Sequence, residues 1–179
     1  MELDSIKTEL PDRLIEENLD IIVAKAADVP DEYISQVIEN SRQPHVMKFE
    51  GHEDVDGRFK DLTAYKEWAA KDRIVYLLVT KEQKVGGIIW FGRKTSEHID
   101  PSYNLTFGIR LYEGCVGKGL SKPFMRATHE DVKRFFPDGK LWLDFAKDNI
   151  AARRAYESFG YSILSESDDR VVMGWQGGK

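Results

Sequence analysis

Hydrophobic positions along this chain repeat with two different periods, and the changes of period mark its elements. Residues 19–26 are apolar and rich in β-branched side chains, which predicts a strand. Asp31 is set to N-cap a helix carrying Tyr33, Ile34, Val37 and Ile38 at helical spacing. Residues 42–60 are polar and irregular, and a helix over about 62–70 would bury Tyr65, Trp68 and Ala69. Residues 73–80 and 85–93 are two strong strands joined by a short polar turn, a hairpin pattern. Gly86 and Gly87 inside the second strand predict a bulge or a close backbone approach. A strand at 104–112 leads through a glycine-bearing turn into a helix that runs to about 136. Phe124, Thr128, Val132 and Phe135 share one face of that helix, and Pro123 is tolerated in its first turn. A strand at 140–145, a helix at 148–159 closed by Gly160, and strands at 161–166 and 170–175 complete the chain. The order β-α-α-β-β-β-α-β-α-β-β is a mixed α/β layout, neither a strictly alternating Rossmann order nor an all-β sandwich.

At 179 residues, with no repeat, low-complexity tract or Gly/Ser linker, the chain is expected to form a single domain spanning 1–179. The net charge of −5 argues against a dedicated nucleic-acid binder, which carries a basic stripe. Cys115 stands alone, so an internal disulfide framework is excluded, and a reducing compartment fits. Residues 1–10 contain no apolar run of the secretory kind, and no apolar stretch is long enough to cross a bilayer. A soluble, cytoplasmic protein without membrane partners is the expectation. His45, His52, His98 and His129 show no metal-ligand spacing, so no metal is expected.

The chemistry concentrates in two segments. Val116-Gly117-Lys118-Gly119-Leu120-Ser121 lies between a predicted strand and a predicted helix. A helix N-terminus carries unpaired N–H groups and partial positive charge, and glycines let the backbone approach a ligand. Lys118, Lys122 and Arg126 add cationic side chains, so the turn could hold a pyrophosphate; an ordinary strand–helix turn is the alternative. It is not a Walker A loop, because Tyr112 and Gly119 occupy positions where that motif needs Gly and Ser or Thr. Nor does it show the G-x-G-x-x-G spacing of a dinucleotide fingerprint. Downstream, Asn149, Ala152, Tyr156, Gly160 and Tyr161 form N-x-x-A-x-x-x-Y-x-x-x-G-[FY].

With the strand–GKG–helix unit before it, this segment resembles the GCN5-related N-acetyltransferase superfamily over about residues 74–163. The resemblance implies an acyl-CoA N-acyltransferase fold: a central, mostly antiparallel twisted sheet flanked by helices. It implies acetyl-CoA as acyl donor and an amine, small molecule or protein amino group, as acceptor. Ile109 and Leu111 would offer main-chain groups to the pantetheine amides, and Gly117, Lys118, Gly119, Leu120, Ser121 and Lys122 would cradle the pyrophosphate. Asn149 would contact the cofactor, although a capping role explains it equally. Val116 and Ser121 depart from the family's usual Arg or Gln and Gly or Ala, which leaves the turn to its backbone donors and lysines.

Tyr156 is the candidate acid, since a phenol with pKa near about 10 can protonate a departing thiolate at neutral pH. On periodicity alone it is equally a core tyrosine beside Ala152, Ala155 and Phe159. Asp144 is the candidate base, working through a water relay because the side chain is short; an exposed strand carboxylate is the other reading. Glu113 is a weaker candidate, and Cys115 is a loop residue. The acidic run Glu50, Glu53, Asp54 and Asp56 would favour a cationic amine if it lined the acceptor side, and is otherwise a solvated loop. A non-catalytic acyl-CoA-binding module, a nucleotide-phosphate site at the same turn, and a homodimer all remain open at this level.

Overall fold

The computed structural model describes residues 4–24, 29–49, 51–175 and 177. Its frame is a seven-stranded sheet in the order β1-β2-β3-β4-β5-β7-β6. The strands are β1 (Leu19–Ala24), β2 (Arg73–Thr80), β3 (Val85–Arg93), β4 (Tyr103–Leu111), β5 (Lys140–Ala146), β6 (Ser162–Glu166) and β7 (Arg170–Trp175). Every neighbouring pair is antiparallel except β4 and β5, which run parallel. The mixed, mostly antiparallel sheet expected from the sequence is therefore present. Residues 25 and 26 of the first predicted strand lie outside the described residues.

Alternation along the strands sends side chains to two cores. On one face Val23, Tyr76, Leu78, Ile89, Phe91 and Leu105 pack with Phe124 and Met125 of α6 (Ser121–Asp131). On the other, Ile22, Val75, Leu77, Ile88 and Trp90 pack against α2 (Asp31–Asn40) and α5 (Leu62–Ala69). The helix α6 is buried on more than the one predicted stripe, because Ala127, His129 and Asp131 are covered as well. Asp131 is satisfied there by the Tyr76 hydroxyl at 2.9 Å, the Lys7 backbone N–H at 2.9 Å and Arg134 at 3.0 Å. His129 meets the Tyr161 hydroxyl at 2.6 Å, and burial pushes its pKa down to about 3, so the imidazole stays neutral.

Several local expectations need correction. Asp31 is the first residue of α2, not its cap; Pro30 precedes it, and the Asp31 carboxylate pairs with Lys66 at 2.6 Å. A short helix, α1 (Asp12–Glu16), seats Leu14 fully inside the core, one apolar anchor being too little for periodicity to register. The irregular stretch 42–60 contains α3 (Pro44–Met47), α4 (Gly51–Glu53) and a π turn, Asp54–Arg58, closed by the Phe59 N–H on the Asp54 carbonyl at 2.7 Å. The helix expected to reach residue 136 stops at Asp131 and tightens into a 3₁₀ turn, Val132–Arg134. The Gly86 expectation holds in both forms: the β2–β3 register slips there, and a Cβ on Gly86 would sit 2.4 Å from the Cys115 sulfur.

Candidate active site

The sheet splits in the middle. The strands β4 and β5 pair only from Tyr103 to Thr106, the last partners being Thr106 and Trp142. Beyond that point β4 stays with β3 as far as Leu111, and β5 stays with β7 as far as Ala146. The burial pattern of β4 records the parting: buried and half-buried residues alternate up to Phe107, and Gly108–Leu111 are all half-buried. A cleft of about 680 Å³ occupies the wedge.

Main-chain groups of Ile109 and Leu111 face this open edge. The Tyr112 N–H turns the other way, to the Gly86 carbonyl of β3 at 3.0 Å. With no neighbouring strand, side chains satisfy the exposed carbonyls: Arg110 Nη1 donates to Ile109 O, and His45 Nε2 lies against Leu111 O, both at 2.8 Å.

At one end of the cleft stands the turn before α6. Its φ angles are +88° at Gly114, +78° at Gly117 and +71° at Gly119, which only glycine adopts without strain. Leu120 is fully buried and anchors the turn, so its backbone alone is on offer. Among the described residues no side-chain cap hydrogen bond closes the start of α6, which leaves its first N–H groups without that partner, and Ser121 and Val116 line the cleft. Lys118 and Lys122 are exposed; Lys118 lies 3.9 Å from Glu17.

The wall opposite comes from β5 and α7 (Ile150–Phe159). The Asn149 side chain accepts from the Ala152 N–H at 3.1 Å and caps α7, so the expected start at 148 moves by two residues. Tyr156 is half-buried among Phe107, Phe145 and Tyr161 and lines the cleft. Asp144 also lines it, with Oδ2 held by Arg170 Nη2 at 2.6 Å and Nε at 3.1 Å. Of the candidate residues, Ile109, Leu111, Ser121, Asp144, Asn149 and Tyr156 thus line one cavity, whereas 117–120 and Lys122 are not among its lining and adjoin it only through their chain neighbours Val116 and Ser121. Among the described residues no group of three or more His, Cys, Asp or Glu could hold a metal ion. Among them, too, no helix is long and apolar enough to cross a membrane.

The far end of the cleft was not foreseen. Trp90 lies across Gly108, where a Cβ would stand 2.2 Å from its ring. Arg58 and Arg110 cover Trp90 at 4.7 and 5.1 Å, and both guanidiniums hold the fully buried Asp54, each through Nε at 2.9 Å. Trp68, Arg73, Lys94 and Trp142 extend the same end. Of the acidic run, Glu50 lies outside the described residues, and Asp54 and Glu53 form no acidic wall. Asp54 points inward and Glu53 lies 3.6 Å from Arg58. These residues come from separate elements and form no linear motif; the one sequence signal is glycine at 108 within an otherwise bulky strand.

The chain superposes on ribosomal-protein-S5-alanine acetyltransferase from Vibrio fischeri with a TM-score of 0.69 at 14% identity, covering 95% of this chain and 94% of that one. It matches spermidine N-acetyltransferase from Vibrio cholerae, solved with CoA and spermine, at a TM-score of 0.64 and 12% identity, over 88% and 95% of the two chains. An acetyltransferase of the GNAT family from Streptococcus pneumoniae matches at 0.63 and 18% identity, over 87% and 97%. No family model and no curated protein matches by sequence. The chain has the GCN5-related N-acetyltransferase fold.

Proposed function

We propose that this chain is an N-acetyltransferase that moves an acetyl group from acetyl-CoA to a primary amine by direct attack. The observation that carries the reading is the parted β4–β5 pair, which opens a cleft between an uncapped helix N-terminus and a half-buried tyrosine. The amides of residues 117–122 would grip the pyrophosphate, a role that needs backbone and positive φ more than any particular side chain. The pantetheine would lie along β4 as an added strand at Ile109 and Leu111. The Arg110 and His45 contacts on those carbonyls would then yield to it, or the ligand would use the N–H groups beside them.

In the transfer, the amine nitrogen bonds to the acetyl carbon and the carbon–sulfur bond breaks. A β4 backbone N–H polarises the carbonyl oxygen. Tyr156 donates its proton to the departing thiolate, and the proton lost by the amine leaves through water towards Asp144. The Arg170 contact keeps Asp144 pointed along the wall and favours the relay over direct abstraction. Alignment of the two substrates in one wedge contributes much of the rate.

Calorimetry with acetyl-CoA and ATP, followed by thiol release across an amine panel, tests the reading. Acetyl-CoA should bind, ATP should not, and thiol release should require an amine. Binding with no release on any amine would instead favour an acyl-CoA-binding module; absence of binding would end the proposal.

A further inference from the structure

If the donor enters at the α6 turn, the acceptor must reach the thioester from the far end of the wedge, beyond Gly108 and Phe145. Taking the transferase reading as its ground, we infer that the acceptor amine belongs to a molecule that also carries an anionic oxygen group, a carboxylate or a phosphate. The charges of that end support this. Arg58, Arg73, Lys94 and Arg110 line it; the acidic residues of the described cleft lining are Glu53, 3.6 Å from Arg58, and Asp144, held by Arg170. Asp54 lies beneath and is shared between Arg58 and Arg110, and among the described residues no carboxylate pairs with Arg73 or Lys94. Both arginines are nearly buried, at 17% and 14% side-chain exposure, where water screens their field weakly.

The aromatic surfaces argue in the same direction. Trp90 and Trp68 are the natural seats for a substrate ammonium group. The protein's own cations already lie over them: Arg58 and Arg110 on Trp90, and Arg73 on Trp68 at 5.2 Å. A second cation there would meet like charge, whereas an anion meets fixed guanidiniums already oriented by Asp54. The indole N–H of Trp68 is buried without an acceptor among the described residues, leaving one more donor at this end. Arg73 reaches the same region while donating to the Trp68 and Lys71 carbonyls at 2.9 and 3.0 Å. Asp54 is thus a positioning residue, and Arg58, Arg110 and Lys94 set specificity.

The test uses the full chain and amines paired to differ in one charge: β-alanine with propylamine, and phosphoethanolamine with ethanolamine, with spermidine as the polycation. The expected result is a kcat/KM at least about tenfold higher for an anionic member than for its neutral partner. The pair that shows the larger ratio identifies carboxylate or phosphate. Lys94→Gln, an exposed substitution that leaves the Asp54 pairs intact, should shrink that ratio by about threefold or more, and an unchanged ratio would overturn the part assigned to Lys94. Spermidine or the neutral amines turned over best would overturn the charge assignment while upholding the transferase reading. Tryptophan fluorescence during titration with N-acetyl-β-alanine and with N-propylacetamide gives a readout that needs no turnover. Tighter binding of the anion supports the assignment, and equal affinity overturns it even if acetyl-CoA binding fails.

Discussion

The two ends of the cleft are built from different materials. The end to which we assign the donor is one continuous stretch, 116–122, with two positive-φ glycines leading into a helix start without a side-chain cap. The end to which we assign the acceptor gathers Arg58, Trp68, Trp90 and Arg110 from a π turn, a helix and two strands, with the two arginines held by a buried carboxylate. A backbone site tolerates side-chain exchange, which is why Val116 and Ser121 can depart from the family's usual residues. A side-chain site fails when one member is lost, because Asp54 and the two arginines hold one another in place.

Five substitutions would break or sharpen this contrast. The largest effect should come from Asp54→Ala, which removes the carboxylate shared by two nearly buried guanidiniums. Removing one partner of a buried ion pair costs about 3–5 kcal/mol, and urea unfolding should record a loss near the low end because both arginines keep some solvent. Acetyl-CoA affinity should change by less than about tenfold, since the cluster reaches the proposed donor groove only through the Arg110 contact on the Ile109 carbonyl. Unchanged stability would mean that the cluster is not the anchor of the acceptor end.

Next, Tyr156→Phe should lower kcat by about 100-fold, the lower range for a lost general acid, with the acetyl-CoA Kd nearly constant. Tyr156 sits between the two ends, so its loss should affect chemistry without touching either binding region. A fully active variant would remove the phenol from the mechanism.

The smallest effect probes the donor end itself. Gly119 has φ +71° with open space around it, so Gly119→Val meets only backbone strain of about 1–2 kcal/mol. That strain should weaken acetyl-CoA binding by about tenfold in a titration. Lys118→Gln and Lys122→Gln, which change exposed charge and leave the backbone alone, should each stay within about threefold. If the lysines mattered more than the glycine, the donor end would be a side-chain site after all.

Legibility in the sequence follows the same division. The strand at 73–80, the hairpin with 85–93, and the cap and stop of α7 at Asn149 and Gly160 were readable because each depends on neighbours a few residues away. The glycine turn between β4 and α6 was readable as a turn for that reason too. Asp54 was not: its charge suggested a solvated loop, and its burial depends on Arg110, a partner 56 residues distant. The short α1 escaped for a related reason, since a five-residue helix has no period of its own and is held by where Leu14 docks.

Taken alone, the amino-acid order determined the identity of the strands, the two helices that follow the donor turn and the Asn149 segment, and the backbone freedom of that turn. Those properties are set by local sterics and by hydrophobic period. Only the tertiary structure decided that β4 and β5 part after Thr106, that Trp90 lies across Gly108, and that two arginines share one buried acid. Such features arise from long-range packing, where the cost of burying a charge or exposing a strand edge depends on which distant residue arrives to meet it.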